Sequence, residues 1–353
     1  MTATITGGGG VNYALDPAQA ALASAALTAA AGGMTVNTLK SLGASPTPGD
    51  YNVYNIYNYS SFQTNTLDPG GQAFVLLGVN DETVIGHTGT ELLVGNQGND
   101  TINAAGGSGT VITGDGKGPA PGNTIDLNNP GVAGGSLVID SGTGADTVNM
   151  WGGAITVSAA PGGSVTVDAL SGTNSITGNA FINLTTGATA IVSGNDTISF
   201  SGGSDTVVES GTATVTGGGG VVTVAAGAGA NSVAAGTGSS TLLGGSGADT
   251  FMSGAGISSM VGGTSSNLFI GQTGMDTMMG AGTSDEFSFA STQAGGTHTI
   301  ENFMAGNNLN LVGYTNAELN IAYSGPNSIV TNTLDTTSIT VVGYHVTLGD
   351  ITH

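Results

Sequence analysis

Between Val208 and Ser288 a large apolar residue returns at every ninth position: Val215, Val224, Val233, Leu242, Phe251, Met260, Phe269, Met278 and Phe287. With an apolar share of 39%, one fixed register would fill nine of nine slots by chance about twice in ten thousand. In blocks of nine counted from Val208, the fourth slot is glycine in seven of nine blocks, with Ser265 and Thr283 the exceptions. Glycine there suits a turn that needs positive φ or close backbone approach. Each block therefore predicts a glycine-rich turn and a three-residue strand. The middle side chain of that strand, in the eighth slot, points inward and its two neighbours point out. One such unit buries nothing alone, whereas stacked units make a continuous core.

The same frame runs from Leu77 to Ile112, with Val84, Leu93, Ile102 and Val111 at the inward slot. It is lost in "GDGKGPAPGNTIDLNNP" (114–130), which predicts a loop insertion. It resumes with "VAGGSLVID", "SGTGADTVN" and "MWGGAITVS", then drifts by one or two residues through Ser201. The expected fold is all-β, a parallel β-solenoid over 77–288, with a small α-helical N-terminal segment and a C-terminal capping β segment over 289–353. Residues 1–76 lie outside the repeat. There "DPAQAALASAALTAAAGG" predicts a helix with Asp16 as N-cap, Pro17 in the first position and Gly32 as stop. The tyrosine-rich "YNVYNIYNYSSF" predicts a strand, and with it Tyr54 and Tyr57 become candidates for an adhesive or intersubunit contact. The plainer reading makes 1–76 a cap on the end of the solenoid.

Composition narrows the possible partners. Two lysines (Lys40, Lys117), no arginine and 23 acids give a formal charge of -21, so nothing here can neutralise nucleic-acid phosphates. A hard cation is the natural counterion. Cysteine is absent, which removes disulfides and thiol chemistry. The N-terminus has neither a basic nor an apolar region of the conventional secretory kind, and no run of 18 apolar residues offers a membrane span.

The blocks "GGSGADTFM", "GQTGMDTMM" and "GNQGNDTIN" resemble the hemolysin-type calcium-binding (RTX) repeat, G-G-x-G-x-D-x-U-x. The resemblance implies a right-handed parallel β-roll with two nonads per turn. It also implies Ca2+ between turns, held by sixth-slot acids and turn carbonyls. Same-flank partners then lie two nonads apart. One flank carries Val222, Asn231, Asp249, Asn267 and Asp285, and the other Ala213, Ser240, Ser258 and Asp276. The expected metal residues are Glu82, Asp100, Gly244, Ser246, Asp249, Gly262, Asn267, Gly271, Asp276 and Asp285. Glu91 faces Gly109 instead, and Asp146, Asp196 and Asp205 have no acid two nonads away. The segment "THTIENFMAGNNLNL" is similar to the one that closes many such arrays, with His298, Asn302 and Asn308 where that pattern has acids. The tail "TTSITVVGYHVTLGDITH" resembles the C-terminal strand pair of type I secretion substrates, which implies an extracellular or cell-surface location.

No enzyme constellation is present: the histidines are scattered, and H-E-x-x-H, G-x-S-x-G and phosphate-loop motifs are absent. Threonine or serine recurs in the seventh slot, which suits either β-propensity or the ordering of water at an ice surface. The ninth slot should face outward, yet it reads Leu243, Met252, Val261, Ile270 and Met279. Such stripes suggest a contact surface, covered either by another copy or by residues 289–353 folding back. The expected function is a secreted, calcium-binding structural protein that self-assembles into a fibre, matrix or surface layer. The alternative is a calcium-dependent adhesin presenting its tyrosine-rich segment, with cell-surface polysaccharide as a possible partner.

Overall fold

In the computed structural model the described residues are 172–353, apart from 186 and 294, and before them the strands together with Gly163. Residues 16–32, where a helix is predicted, lie outside the described residues, as does Tyr57. Among the described residues the regular elements are strands, joined by two short 3-10 turns at Ser291–Gln293 and Leu348–Asp350. The architecture is a parallel β-solenoid, and the chain divides into two compact units, Met1–Ile182 and Asn183–His353.

In the first unit one parallel sheet runs through Val36–Leu39, Tyr51–Asn55, Gln72–Leu76, Thr90–Val94, Ser108–Ile112, Ser136–Ser141, Ala154–Ala159 and Gly172–Thr177. A second runs through Thr64–Thr66, Thr83–Ile85, Thr101–Asn103, Thr124–Asp126, Ala145–Met150 and Ser164–Ala169. Two features differ from the sequence reading. Thr124–Asp126, inside the expected loop insertion, is a strand with Ile125 fully buried, because its Thr-Ile-Asp alternation still offers one inward apolar side chain. The strand Tyr51–Asn55, which carries Tyr54, is paired on both sides, so its backbone is not a free edge for adding another strand.

The second unit has the same plan. Sheet I orders Ala188–Ser193, Ser204–Glu209, Val221–Ala225, Ser240–Leu243, Ile257–Val261, Met275–Met279 and Thr297–Glu301. Sheet II orders Asn195–Phe200, Thr212–Thr216, Ser232–Ala234, Thr250–Met252, Leu268–Gly271, Glu286–Ala290 and Asn308–Val312. From Thr214 to Met279 each paired residue meets the one two nonads further on, so two nonads do make one turn. The step is one residue shorter just before this stretch, where Asp196 pairs with Ala213, and longer just after it, where Asp276 pairs with His298.

The eighth slot forms the core. Val215, Val224, Val233, Leu242, Phe251, Met260, Phe269, Met278 and Phe287 are all at most 1% exposed. On sheet II the phenylalanines stack, with ring centroids 5.5 Å apart for Phe251–Phe269 and 4.9 Å for Phe269–Phe287. Such contacts add about 0.5–1.5 kcal/mol per pair beyond burial. The turns pack equally closely. Gly244 N–H donates to Val261 O at 2.7 Å and Gly262 N–H to Met279 O at 2.9 Å, so backbone pairing continues past the strand ends. A β-carbon on Gly263 would overlap the carbonyl oxygen of Gly245 on the turn beneath, and no glycine between 204 and 294 has positive φ. Of the two reasons for glycine in these turns, close approach is the one that operates.

Beyond Glu301 the chain extends the ends of both sheets. Ser338–Val341 pairs in parallel with Thr297–Glu301, and the antiparallel strands Asn327–Asn332 and Leu319–Ser324 follow it. Ile351–Thr352 pairs with Asn308–Val312 on the other sheet. The two strands of the tail therefore join different sheets rather than each other. Phe303 and Tyr344 continue the aromatic column above Phe287, at 5.7 Å and 5.0 Å.

Candidate functional site: two buried polar columns

The sixth slot is two residues before the eighth, and in a strand residues two apart share a face. The sixth-slot residues are accordingly inward and buried: Asn231 3% exposed, Asp249 1%, Asn267 3% and Asp285 0% on sheet II, with Ser240 5%, Ser258 1% and Asp276 3% on sheet I. The register also exchanges two assignments. Ala213 belongs with Asn231, whose Oδ1 accepts its N–H at 2.8 Å, while Val222 pairs with Ser240. The two parity classes follow two-nonad steps backward, and those steps lead from Asn231 to Ala213.

On sheet II the column is a ladder of side-chain acceptors for backbone donors. Asn231 N–H donates to Asp249 Oδ1 (2.9 Å), Asp249 N–H to Asn267 Oδ1 (3.1 Å) and Asn267 N–H to Asp285 Oδ1 (2.9 Å). The amides donate along the same direction: Asn231 Nδ2 to Asp249 Oδ1 at 3.0 Å and Asn267 Nδ2 to Asp285 Oδ1 at 3.1 Å. At the far end Asp285 Oδ2 accepts Gly282 N–H (3.0 Å) and, more weakly, Asn307 Nδ2 (3.5 Å). Charge-assisted bonds of this kind keep a buried carboxylate tolerable.

Sheet I solves the slot differently. Asp205 Oδ1 accepts Ala188 N–H at 2.9 Å, a rung of the same geometry, and burial raises its pKa against the lowering effect of that bond. Two turns on, Ser240 Oγ and Ser258 Oγ are buried without a hydrogen-bond partner. Asp276 Oδ2 then accepts from His298 Nδ1 at 2.9 Å, and the imidazole, 1% exposed, packs 4.7 Å from the Phe289 ring. The sequence pattern marks His298 only as the replacement of an acid. The longer step, made by the turn at Ser291–Gln293, hides its pairing with Asp276. Asn302, at φ 58°, donates to Gly280 O at 2.8 Å, and Asn308 donates to Thr352 Oγ1 at 2.9 Å.

A further acidic pair escapes the sequence reading. Glu209 is 3% exposed, and its pKa is pushed up to about 7, first by burial and then by the neighbouring Asp196 carboxyl. The alternation Asp205-Val207-Glu209, all buried, is the signal that would have pointed it inward.

Calcium takes six to eight oxygens, usually with more than one carboxylate. In the described array no sixth-slot acid stacks on another: Asp249 lies between Asn231 and Asn267, Asp285 between Asn267 and Asn307, and Asp276 between Ser258 and His298. Among the described residues no three acidic, histidine or cysteine groups converge. Gly244 and Gly262 have another use. A β-carbon on Gly244 would lie 2.7 Å from Asp249 Oδ2, and one on Gly262 would lie 2.7 Å from Asn267 Nδ2, so each glycine makes room for its own block's sixth side chain. The carbonyl of Ser246 accepts Ser265 Oγ at 2.7 Å. Gly271 is a strand residue beneath the Phe289 ring. Asp249 Oδ2 and Asp276 Oδ1 are buried without a hydrogen-bond partner, but no second carboxylate stacks on either, so each offers a cation a single acid. Glu82 and Asp100 lie outside the described residues.

The outer face of sheet I is a second candidate surface. Its ninth-slot column runs Ile191, Val208, Ala225, Leu243, Val261 and Met279 before reaching Glu301. Beside it runs an unbroken hydroxyl column: Thr189, Thr206, Thr223, Thr241, Ser259, Thr277, Thr299 and Thr340. Val221, Ile257 and Met275 on the third side are 50%, 54% and 56% exposed. Leu243 is exposed and Val261 and Met279 are half-buried, so residues 289–353 do not fold back over this stripe. On sheet II, Met252 and Ile270 are half-buried, and the corresponding hydroxyl column stops at Leu268. Among the described residues no helix is long and apolar enough to cross a membrane. Neither a protein-family model nor a curated protein matches this sequence.

Proposed function

We propose that this chain is structural material that associates with copies of itself through the outer face of sheet I, and that it does so as a secreted or cell-surface protein. The observation that carries the reading is charge. On a chain of net charge -21, the outward residues of six successive strands, from Ala188–Ser193 to Met275–Met279, include no ionisable group. Copies meet no like charge across such a face, and the exposed Ile257, Met275, Leu243 and Val221 gain there by leaving water. Six strands about 4.8 Å apart and about five residues wide at ~3.3 Å make a patch on the order of 500 Å². Face-to-face pairing then buries about 1,000 Å², the lower limit of specific contact. Association at that limit is weak per pair and suits a repeated, matrix-like assembly.

The extracellular location rests on the resemblance of the tail to type I secretion substrates. Calcium, where this chain takes it, is proposed for Glu82 and Asp100, the acids that stand two nonads apart in the first array. A double variant Ile257→Glu/Met275→Glu tests the association. Sedimentation velocity should show concentration-dependent oligomers for the natural chain and monomer for the variant. A natural chain that stays monomeric at high concentration would refute the reading.

A further inference from the structure

We infer that Asn231 and Asn267 stand in for a cation on sheet II, so that the array folds and holds together without bound metal. After Ala213 the sixth-slot column alternates: Asn231, Asp249, Asn267, Asp285, Asn307. Asp249 and Asp285 therefore each have amides above and below them.

The orientation of each amide is fixed by the backbone. Asn267 Oδ1 must be the oxygen because it accepts the N–H of Asp249 at 3.1 Å, which turns Nδ2 toward the turn. There Nδ2 meets Gly263 O at 3.1 Å, Ser265 O at 2.8 Å and Asp285 Oδ1 at 3.1 Å. Asn231 repeats the arrangement: Oδ1 accepts Ala213 N–H at 2.8 Å, while Nδ2 meets Gly229 O at 2.8 Å and Asp249 Oδ1 at 3.0 Å. Two kinds of oxygen, turn carbonyls and the carboxylate of the next turn, thus converge on one nitrogen. They are the kinds a hard cation would gather between turns. The N–H groups bond these oxygens with partial positive charge; Asp249 Oδ2 is buried without a hydrogen-bond partner, but no second carboxylate stands above or below it to complete an ion's shell.

Two consequences separate this from a structural accident. Replacing Asn267 by aspartate would place three acids on successive turns, Asp249, position 267 and Asp285, and remove the donor between them. The column would then require a cation. Replacing Asp249 by asparagine would leave an all-amide run with no charge, which keeps the ladder and still needs no ion.

The experiment is hydrogen–deuterium exchange on the full chain, read on peptides covering 229–290, with excess chelator and with millimolar calcium. That readout is local, so calcium held elsewhere does not enter it, and carrying it out on dilute chain with the Ile257→Glu/Met275→Glu changes in every variant removes self-association from it. The natural chain should give the same protection in both conditions, and D249N should do so as well. N267D should lose protection by tenfold or more in chelator and recover it in calcium. Loss of protection in the natural chain on chelation would overturn the inference. So would collapse of D249N, or an N267D chain indifferent to calcium.

Discussion

The two sixth-slot columns occupy the same place in the same solenoid and are filled by different chemistry. On sheet II, Asn231, Asp249, Asn267, Asp285 and Asn307 pass hydrogen bonds from turn to turn. On sheet I the column reads Asp205, Val222, Ser240, Ser258, Asp276 and His298, with a rung at each end and two hydroxyls without partners between them. Both columns are held by parallel backbone pairing and by the apolar column two residues on. The difference shows that the fold depends on the eighth slot, whereas the sixth is free to be polar, apolar or ionic and tolerates buried groups without a partner, Ser240 Oγ and Ser258 Oγ on sheet I and Asp249 Oδ2 on sheet II. The turn-to-turn hydrogen bonding on sheet II is therefore a property of its asparagines and aspartates, not of the repeat motif as such.

The comparison can be broken most sharply at Asn267. Asn267→Leu strands the Asp249 N–H, the Gly263 and Ser265 carbonyls and one acceptor site on Asp285. Such losses around a buried carboxylate cost roughly 3–5 kcal/mol, readable by urea denaturation of the second unit's transition.

The next effect is in pH, at the acidic pair outside both ladders. The folded-state pKa of Glu209, about 7, lies above its ordinary 4.5. Between those values the folded chain holds a proton that the unfolded chain has released, so stability is greater at the acidic end and falls as pH rises through the window. The full amplitude is at most about 3 kcal/mol, and Glu209→Gln should flatten the profile. Stability rising across the same range would contradict the protonated pair.

Smallest is Ser258→Ala on sheet I. Its hydroxyl is buried without a hydrogen-bond partner, so removal should change stability by no more than about 0.5 kcal/mol, with a gain as acceptable as a loss. A cost near that of Asn267→Leu would mean the two columns are not different after all.

Much of this was legible in the residues. The ninefold return of apolar side chains announces the core, and the two-nonad register follows from it between Thr214 and Met279. The direction of the sixth slot was harder to read. A strand taken as three residues long leaves Asp249 in the turn, whereas the paired strands on sheet I start one slot before the sixth, as at Ile257 and Met275, and period two then turns the sixth slot inward. Changes of step concealed the rest. A step just short of two nonads joins Val208 to Ala225, a longer one joins Asp276 to His298, and neither falls on the nonad frame. The exposed column of sheet I was visible only in part, as Leu243, Val261 and Met279, because its earlier members Ile191 and Val208 sit on the shorter steps.

Whether an amide nitrogen or an ion sits between these turns is read directly in a high-resolution crystal structure grown in millimolar calcium. Asn267 Nδ2 should lie within hydrogen-bonding distance of Gly263 O, Ser265 O and Asp285 Oδ1, with no ion between those turns. A calcium ion bound there, with the Asn267 amide turned to offer it oxygen, would show that asparagine does not take the cation's place.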